Sequence, residues 1–391
     1  MHASSKPAAL LQLGFRPFFL GGALYAALAI PLWIAGFFGH LGGLQPAGGW
    51  LIWHQHEMLF GFGGAIVAGF LLTAVQNWTG VPGLAGRPLA LLAGIWLAAR
   101  LAWLLNAPLW LLIPLDLAFF PAVAISMAIS LGKVKQTRNY PIVLVLALLA
   151  VANLVALIGL QQGDYSLLRQ GSQGALWLVV ALMSLIGGRV IPFFTSRGLG
   201  RNTQPQPIEW LDNALLVGSI VLSLLMLSGF GLKQQLWQAP LYALLAAGHG
   251  VRLLRWHDRG LWQVPLLWSL HLAYAWLVIA LLAMTCWHLG WSIGFSQATH
   301  LLAIGSMSGL ILAMTARVTL GHTGRPLQPP ASMSVAFLFI NLAVPARVWL
   351  TSVWPQPGYW VAAICWGIAF GLFLWHYAPM LTRMRIDGRP G

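Results

Sequence analysis

The sequence predicts an all-α polytopic membrane protein of about 12 transmembrane helices. Its composition, the length of its apolar runs and the division of its basic residues each point that way. Apolar residues make up 59% of the 391 residues and charged residues only 7%, against about 25% charged in a soluble domain. A helix needs about 20 apolar residues to cross a bilayer core. Runs of that size lie near 17–39, 52–75, 88–105, 108–131, 141–160, 173–195, 211–231, 236–254, 264–287, 296–316, 332–353 and 359–381. The third and fourth are separated by little more than Asn106-Ala107-Pro108. Residues 1–391 are read as one integral membrane domain. The first run carries no small-residue cleavage site after a short apolar core, so it is expected to be a retained span rather than a secretory signal.

Lys and Arg then orient the spans. On the side of the N-terminus fall Lys6, Arg16, Arg87, Lys133, Lys135, Arg138, Arg189, Arg197, Arg201, Arg252, Arg255, Arg259, Arg317, Arg325, Arg383, Arg385 and Arg389. The opposite side holds Arg100, Arg169, Lys233 and Arg347, which makes 17 against 4 and accounts for all 21. The positive-inside rule places both termini in the cytoplasm, as expected of a multi-pass protein of a bacterial cytoplasmic (inner) membrane. The net charge of +14 would suit nucleic acid. However, the basic residues stand singly or in small groups between apolar runs, so they read as topology markers and the expected partner is the lipid bilayer. Cys286 and Cys365 lie within apolar runs and read as lone thiols.

An internal repeat appears at an offset of 244 residues. His56, Gly61, Ala65, Gly69, Thr79 and Gly80, in and after span two, match His300, Gly305, Gly309, Ala313, Thr323 and Gly324 around span ten. Small residues at every fourth position form a ridge on which helices approach closely. Span six fits more loosely, with Arg189-Val190 and Thr195 repeating Arg317-Val318 and Thr323. Spans two, six and ten are four spans apart, which points to three four-helix units.

Ionisable groups inside a bilayer are costly and read as functional by default. The sharpest cluster is Trp53-His54-Gln55-His56-Glu57-Met58, at the periplasm-assigned end of span two. Residues two apart on a helix are separated by roughly 200°, so His54 and His56 face nearly opposite ways and suit separate cofactors rather than one shared metal. A wet interfacial pair is the alternative. His300 occupies the repeat-related place on span ten. Facing imidazoles across a gap lined by glycine and alanine would make a slot for haem; two locally hydrogen-bonded histidines would be the plain reading. Arg100 and Arg347 suit haem propionates, or else a buried ion pair with Asp116 or Glu57. At the opposite level, His271 and His322 are candidate copper ligands. His249, His257 and His376 read as interfacial, and His40 and His288 as loop or interface residues. The stretch Gly321-His-Thr-Gly-Arg325 could set an arginine near an anion, but is weak as a motif.

Five motifs together resemble the NnrS family over essentially the whole chain. They are Gly14-Phe-Arg-Pro-Phe-Phe19, Trp53-His-Gln-His-Glu-Met-Leu-Phe-Gly61, Gly69-Phe-Leu-Leu-Thr-Ala-Val-Gln-Asn-Trp-Thr-Gly80, Gly188-Arg-Val-Ile-Pro-Phe-Phe-Thr195 and Arg317-Val-Thr-Leu-Gly-His-Thr-Gly-Arg325. The resemblance implies a haem- and copper-containing membrane protein linked to denitrification and to resistance to nitric oxide, and it supplies no settled reaction. A more distant architectural similarity is to haem–copper oxidase core subunits, whose low-spin haem is held by histidines on spans two and ten, where His56 and His300 stand. The departures are clear, since span six lacks that family's copper-binding histidine and span seven its His-His pair. The expected cofactors are therefore b-type haem on His56 and His300, with copper on other ligands: His271 and His322, or His54. The expected small partner is nitric oxide or another diatomic ligand. A transporter of a metal, haem or anion is the alternative, against which the polar groups gather at the two faces rather than the midplane. No catalytic residue and no electron donor is assigned.

Overall fold

The computed structural model describes residues 8–388, so Lys6 and Arg389 of the basic count lie outside the described residues. Each apolar run becomes a helix: α1 (Phe15–Phe37), α2 (Gly49–Thr79), α3 (Gly86–Leu104), α4 (Leu109–Lys133), α5 (Tyr140–Gln162) and α6 (Tyr165–Gly198). There follow α7 (Glu209–Leu227), α8 (Ala239–Trp256), α9 (Pro265–His288), α10 (Phe295–His322), α11 (Ser332–Val353) and α12 (Pro355–Thr382). No strand occurs among the described residues. Eleven of these helices are long and apolar enough to cross a membrane. The other, α8, is a helix of 18 residues whose apolar character is diluted by His249, Arg252 and Arg255. Two helices outrun their apolar cores. The helix α6 begins at Tyr165 rather than near 173, and α10 ends at His322 rather than near 316, because helical hydrogen bonding continues through polar residues that hydropathy does not count.

Glycine and proline shape the joints. The short link between α3 and α4 turns at Asn106, with φ of 50°, a left-handed value that Asn tolerates better than most residues. Ala118 joins the two helical parts of α4, Leu109–Leu117 and Phe119–Lys133; Pro114 and Pro121 on either side each remove a backbone donor.

By internal contact the chain groups into two compact units, where spans two, six and ten suggested three. The first comprises Met1–Leu168, Thr315–Gln328 and Phe373–Gly391; the second comprises Arg169–Met314 and Pro329–Leu372. In the first, α1 lies against the small-residue ridge of α2: a Cβ added at Gly69 would sit 2.8 Å from Phe18 Cβ, and one at Gly22 would sit 3.3 Å from Ala65 Cβ. In the second, the matching ridge of α10 receives α9, so a Cβ at Gly305 would meet Trp276 Cγ at 2.6 Å and one at Gly309 would meet Ala273 Cβ at 2.9 Å.

The repeat has a backbone counterpart. The helix α2 widens to a π segment over Glu57–Gly63, immediately after His56, and α10 does the same over Leu301–Ser308, immediately after His300. The two segments start at repeat-related positions. At the corresponding place α6 is α-helical throughout Tyr165–Gly198, in line with its looser match in sequence. Such wide turns are rare and frequent at functional sites.

Candidate metal centre

In the first unit the π segment of α2 brings His56 and Glu57 together with Arg100 of α3 and Asp116 of α4. Asn153 of α5 and Tyr25 of α1 complete the group. His56 Nδ1 lies 3.0 Å from Glu57 Oε1, and its Nε2 lies 3.0 Å from Asn153 Oδ1 and 3.1 Å from Asp116 Oδ2. The Arg100 Nη1 donates to Glu57 Oε1 at 2.9 Å and Nη2 pairs with Asp116 Oδ1. Asn153 Nδ2 donates to Asp116 Oδ2 at 2.9 Å, and the Tyr25 hydroxyl donates to Glu57 Oε2. Every carboxylate oxygen in the group thus has a donor. His56, Glu57, Arg100, Asp116 and Asn153 are all buried, and the imidazole stacks on Trp103 with ring centroids 4.0 Å apart. Gly61 is required here, since a Cβ would fall 2.7 Å from Arg100 Nη1 and 3.0 Å from Glu57 Oε2.

His56, Glu57 and Asp116 form a group of metal-capable donors whose ligating atoms all lie within 4.8 Å of one another. One imidazole with two carboxylates suits a divalent transition ion. Arg100 balances one of the two carboxylate charges, and a cation bound here would take the place of the His56 contacts with Glu57 and Asp116.

The fit to haem divides between the two units. His56 offers no open nitrogen and no open face: both nitrogens are held by side chains, and Trp103 covers the ring. Of the two readings of Arg100, the structure shows the ion pair, with both Glu57 and Asp116. The glycines expected to leave room for haem are each covered within their own unit, Gly61 by Tyr25 and Arg100 and Gly305 by Trp276. In the second unit His300 and Arg347 do meet, through Ser296. His300 Nδ1 donates to the Ser296 carbonyl at 2.6 Å, which leaves Nε2 as the lone-pair nitrogen, and Arg347 Nη2 donates to Ser296 Oγ at 3.3 Å. An imidazole oriented by its other nitrogen is the usual form of a metal-bound histidine. Arg347 lies over the Tyr359 ring at 4.8 Å, and its buried Nε has no partner.

The remaining histidines are distributed as follows. His54 stacks on Trp33 with centroids 3.9 Å apart, away from His56, as the helix rotation requires. His271, in the second unit, has Nδ1 3.0 Å from the Leu267 carbonyl and Nε2 3.4 Å from the Trp256 carbonyl. His322 belongs to the first unit, with its ring 5.5 Å from that of Phe15. His249 and His288, expected at interfaces, are fully buried. His249 Nδ1 lies 2.7 Å from the Tyr274 hydroxyl, and Arg252 beside it bonds Ser184 and Asp212. His288 stacks on Tyr242 and accepts the Gln235 N–H. Their burial could not be read from the sequence, because a histidine near a helix end gives no sign of which face it occupies. Cys286 is half-buried and Cys365 buried, and both are free thiols.

The family model described as NnrS protein matches residues 9–385, nearly the whole chain. No curated protein matches it.

Proposed function

We propose, from the premise that the chain belongs to the NnrS family, that it is a metal-containing membrane protein of the response to nitric oxide, with a metal ion at His56, Glu57 and Asp116 and a haem on the His300 side. The observation that carries this reading is the buried His56–Glu57–Asp116 group with Arg100. Two carboxylates on membrane-spanning helices are a cost that a purely structural chain has no need to bear. The NnrS resemblance supplies the link to nitric oxide and to denitrification.

The residues of the group have separable tasks. Glu57 and Asp116 would offer oxygens and His56 a nitrogen. Arg100 holds both carboxylates in place, Asn153 fixes the rotation of Asp116, and Tyr25 fixes that of Glu57. Trp53, Phe60 and Trp103, all buried, keep water out, which strengthens every charge interaction inside. In the second unit His300 would be the haem ligand and Arg347 would receive a propionate. A haem bound there would supply an iron able to take up a diatomic ligand. His271 and His322 remain the alternative ligands for copper, as does His54.

Metal analysis and an optical spectrum of the purified chain test the reading. His300→Ala is expected to lose the Soret band, and His56→Ala to lose about one metal ion per chain while the band remains. A wild-type protein with neither haem nor metal would overturn the proposal. Flux of a metal, haem or anion in proteoliposomes would then favour transport.

A further inference from the structure

The first and last of the five sequence motifs meet in the first unit, away from the metal-capable group. Arg16, from Gly14-Phe-Arg-Pro-Phe-Phe19, is completely buried. Its Nη1 donates to the carbonyls of Met380, Leu381 and Arg383 at the end of α12, at 3.4, 3.0 and 2.6 Å. That half of the guanidinium caps a helix C-terminus, where a cation is favourable. The other half, Nε and Nη2, is buried with no hydrogen-bond partner.

That unpaired edge has a definite chemistry. Nε and Nη2 form the side of a guanidinium that takes two oxygens of one anion in parallel. The chain uses the same edge twice elsewhere. Arg201 grips Asp258 with Nε to Oδ2 at 2.9 Å and Nη2 to Oδ1 at 3.0 Å, and Arg385 grips Asp387 at 2.8 and 2.6 Å. Arg16 has no such carboxylate among the described residues. The acidic side chains of its unit are Glu57 and Asp116, which hold Arg100; Asp387, which holds Arg385; and Asp164, which accepts from the Leu167 N–H at the turn into α6.

Further positive charge is gathered around it. Arg325 and Arg385 both act on Arg16 as like charges. Arg385 Nη1 donates to the His322 carbonyl at 2.9 Å, and Phe15 packs its ring on His322, so the Gly321-His-Thr-Gly-Arg325 stretch is pinned beside Arg16. Arg325 makes one long bond, 3.4 Å, to the Thr323 carbonyl. Three arginines share one carboxylate, and one of the three is buried with no hydrogen-bond partner on its Nε and Nη2 edge.

We propose that Arg16, Arg325 and Arg385 form a binding site for a small oxyanion of the phosphate or carboxylate class, at the end of the protein that the basic count assigns to the cytoplasm. The oxyanion sits on Arg16 Nε and Nη2 and is closed in by Arg325. Its source is either a free anion or the phosphate of a lipid headgroup.

Equilibrium dialysis of the full-length protein in neutral detergent against radiolabelled inorganic phosphate, at fixed ionic strength, tests the site. The wild type is expected to bind about one phosphate per chain, saturably. Arg16→Lys keeps a charge and a donor for the α12 carbonyls but removes the bidentate edge. Arg325→Gln removes the outer charge at a position that makes little structural contact. Each is expected to weaken binding by about tenfold or more, the loss of a charge-assisted bond. Lys133→Gln, on the exposed end of α4, is expected to leave it within about twofold. Nanodiscs of phosphatidylcholine with and without phosphatidylglycerol separate the sources. Displacement of phosphate by phosphatidylglycerol assigns the site to a headgroup, and unchanged binding assigns it to a free anion. No saturable phosphate binding together with no selective retention of phosphatidylglycerol, or equal losses in all three variants, would overturn the proposal.

Discussion

Arg100 stands between two carboxylates that would otherwise be uncompensated charges in a dry interior. Removing one partner of a buried ion pair costs about 3–5 kcal/mol, because the remaining charge stays buried. Arg100→Ala is therefore expected to destabilise the protein by at least that much, measured by unfolding in detergent, and Arg100→Lys by less. Asn153→Leu keeps the volume but takes a donor from Asp116 Oδ2 and an acceptor from His56 Nε2, a loss of about 1–3 kcal/mol. His56, Glu57, Arg100 and Asp116 could be singled out in the sequence because charge on a membrane span is rare. Asn153 and Tyr25 could not, since a neutral amide or phenol is common in such helices and only the fold shows its neighbours. The same limit hid the role of Arg16, which sits at a helix start where a basic residue reads as a topology marker.

The existence and order of the helices were legible, because apolar run length is set by bilayer thickness, whereas the ends of α6 and α10 were missed by six to eight residues. The local irregularities of the helices were not legible. The π segments after His56 and His300 leave no hydropathy signal, although the repeat had already related their positions. The ridges carry a test at this scale. A Cβ at Gly305 meets Trp276 at its Cβ and Cγ, 2.9 and 2.6 Å away, atoms that cannot swing aside. Gly305→Ala is thus expected to force α9 and α10 apart and to cost about 1–3 kcal/mol, the usual range for overpacking. Gly94 has nothing within 4 Å of an added Cβ, and Gly94→Ala is expected to be neutral or mildly stabilising by helix propensity. Equal effects of the two substitutions would count against the close approach. Outside the spans, Asp258 ties the segment after α6 to the link between α8 and α9. The hydrogen bond from Arg201, with help from the Gly260 N–H, holds the Asp258 carboxyl below its ordinary value. A lowered carboxylate stabilises above its unfolded pKa and loses that contribution as pH falls through the folded one. Asp258→Asn should accordingly speed limited proteolysis of this link at neutral pH and make no difference in acid, where the wild-type carboxyl is itself protonated.

At the scale of the whole molecule, charge asymmetry predicts an orientation, and reporter fusions test it. Fusions after Lys135 are expected to read cytoplasmic, and fusions after Leu289 periplasmic. The opposite result at either place would invert the assignment of the His56 group and of the Arg16 site to their respective faces. The grouping into two compact units was not visible in the sequence. Repeats report related helices, whereas compactness depends on which helices pack together, and α10 and α12 each contribute to both units. The family was legible from five motifs, and three of them carry chemistry beyond recognition: one builds the His56 group and its π segment, and the first and last meet at Arg16 at the opposite end.

Metal stoichiometry tests the central claim, a metal ion held by His56, Glu57 and Asp116. The wild type should be measured beside Asp116→Asn and His271→Ala, each purified in detergent and shown to be folded. Asp116→Asn keeps the shape and the bond from Asn153 but removes a ligand charge, so it is expected to lose about one ion per chain, while His271→Ala retains the wild-type content. Full metal content in Asp116→Asn, with loss in His271→Ala, would contradict the account.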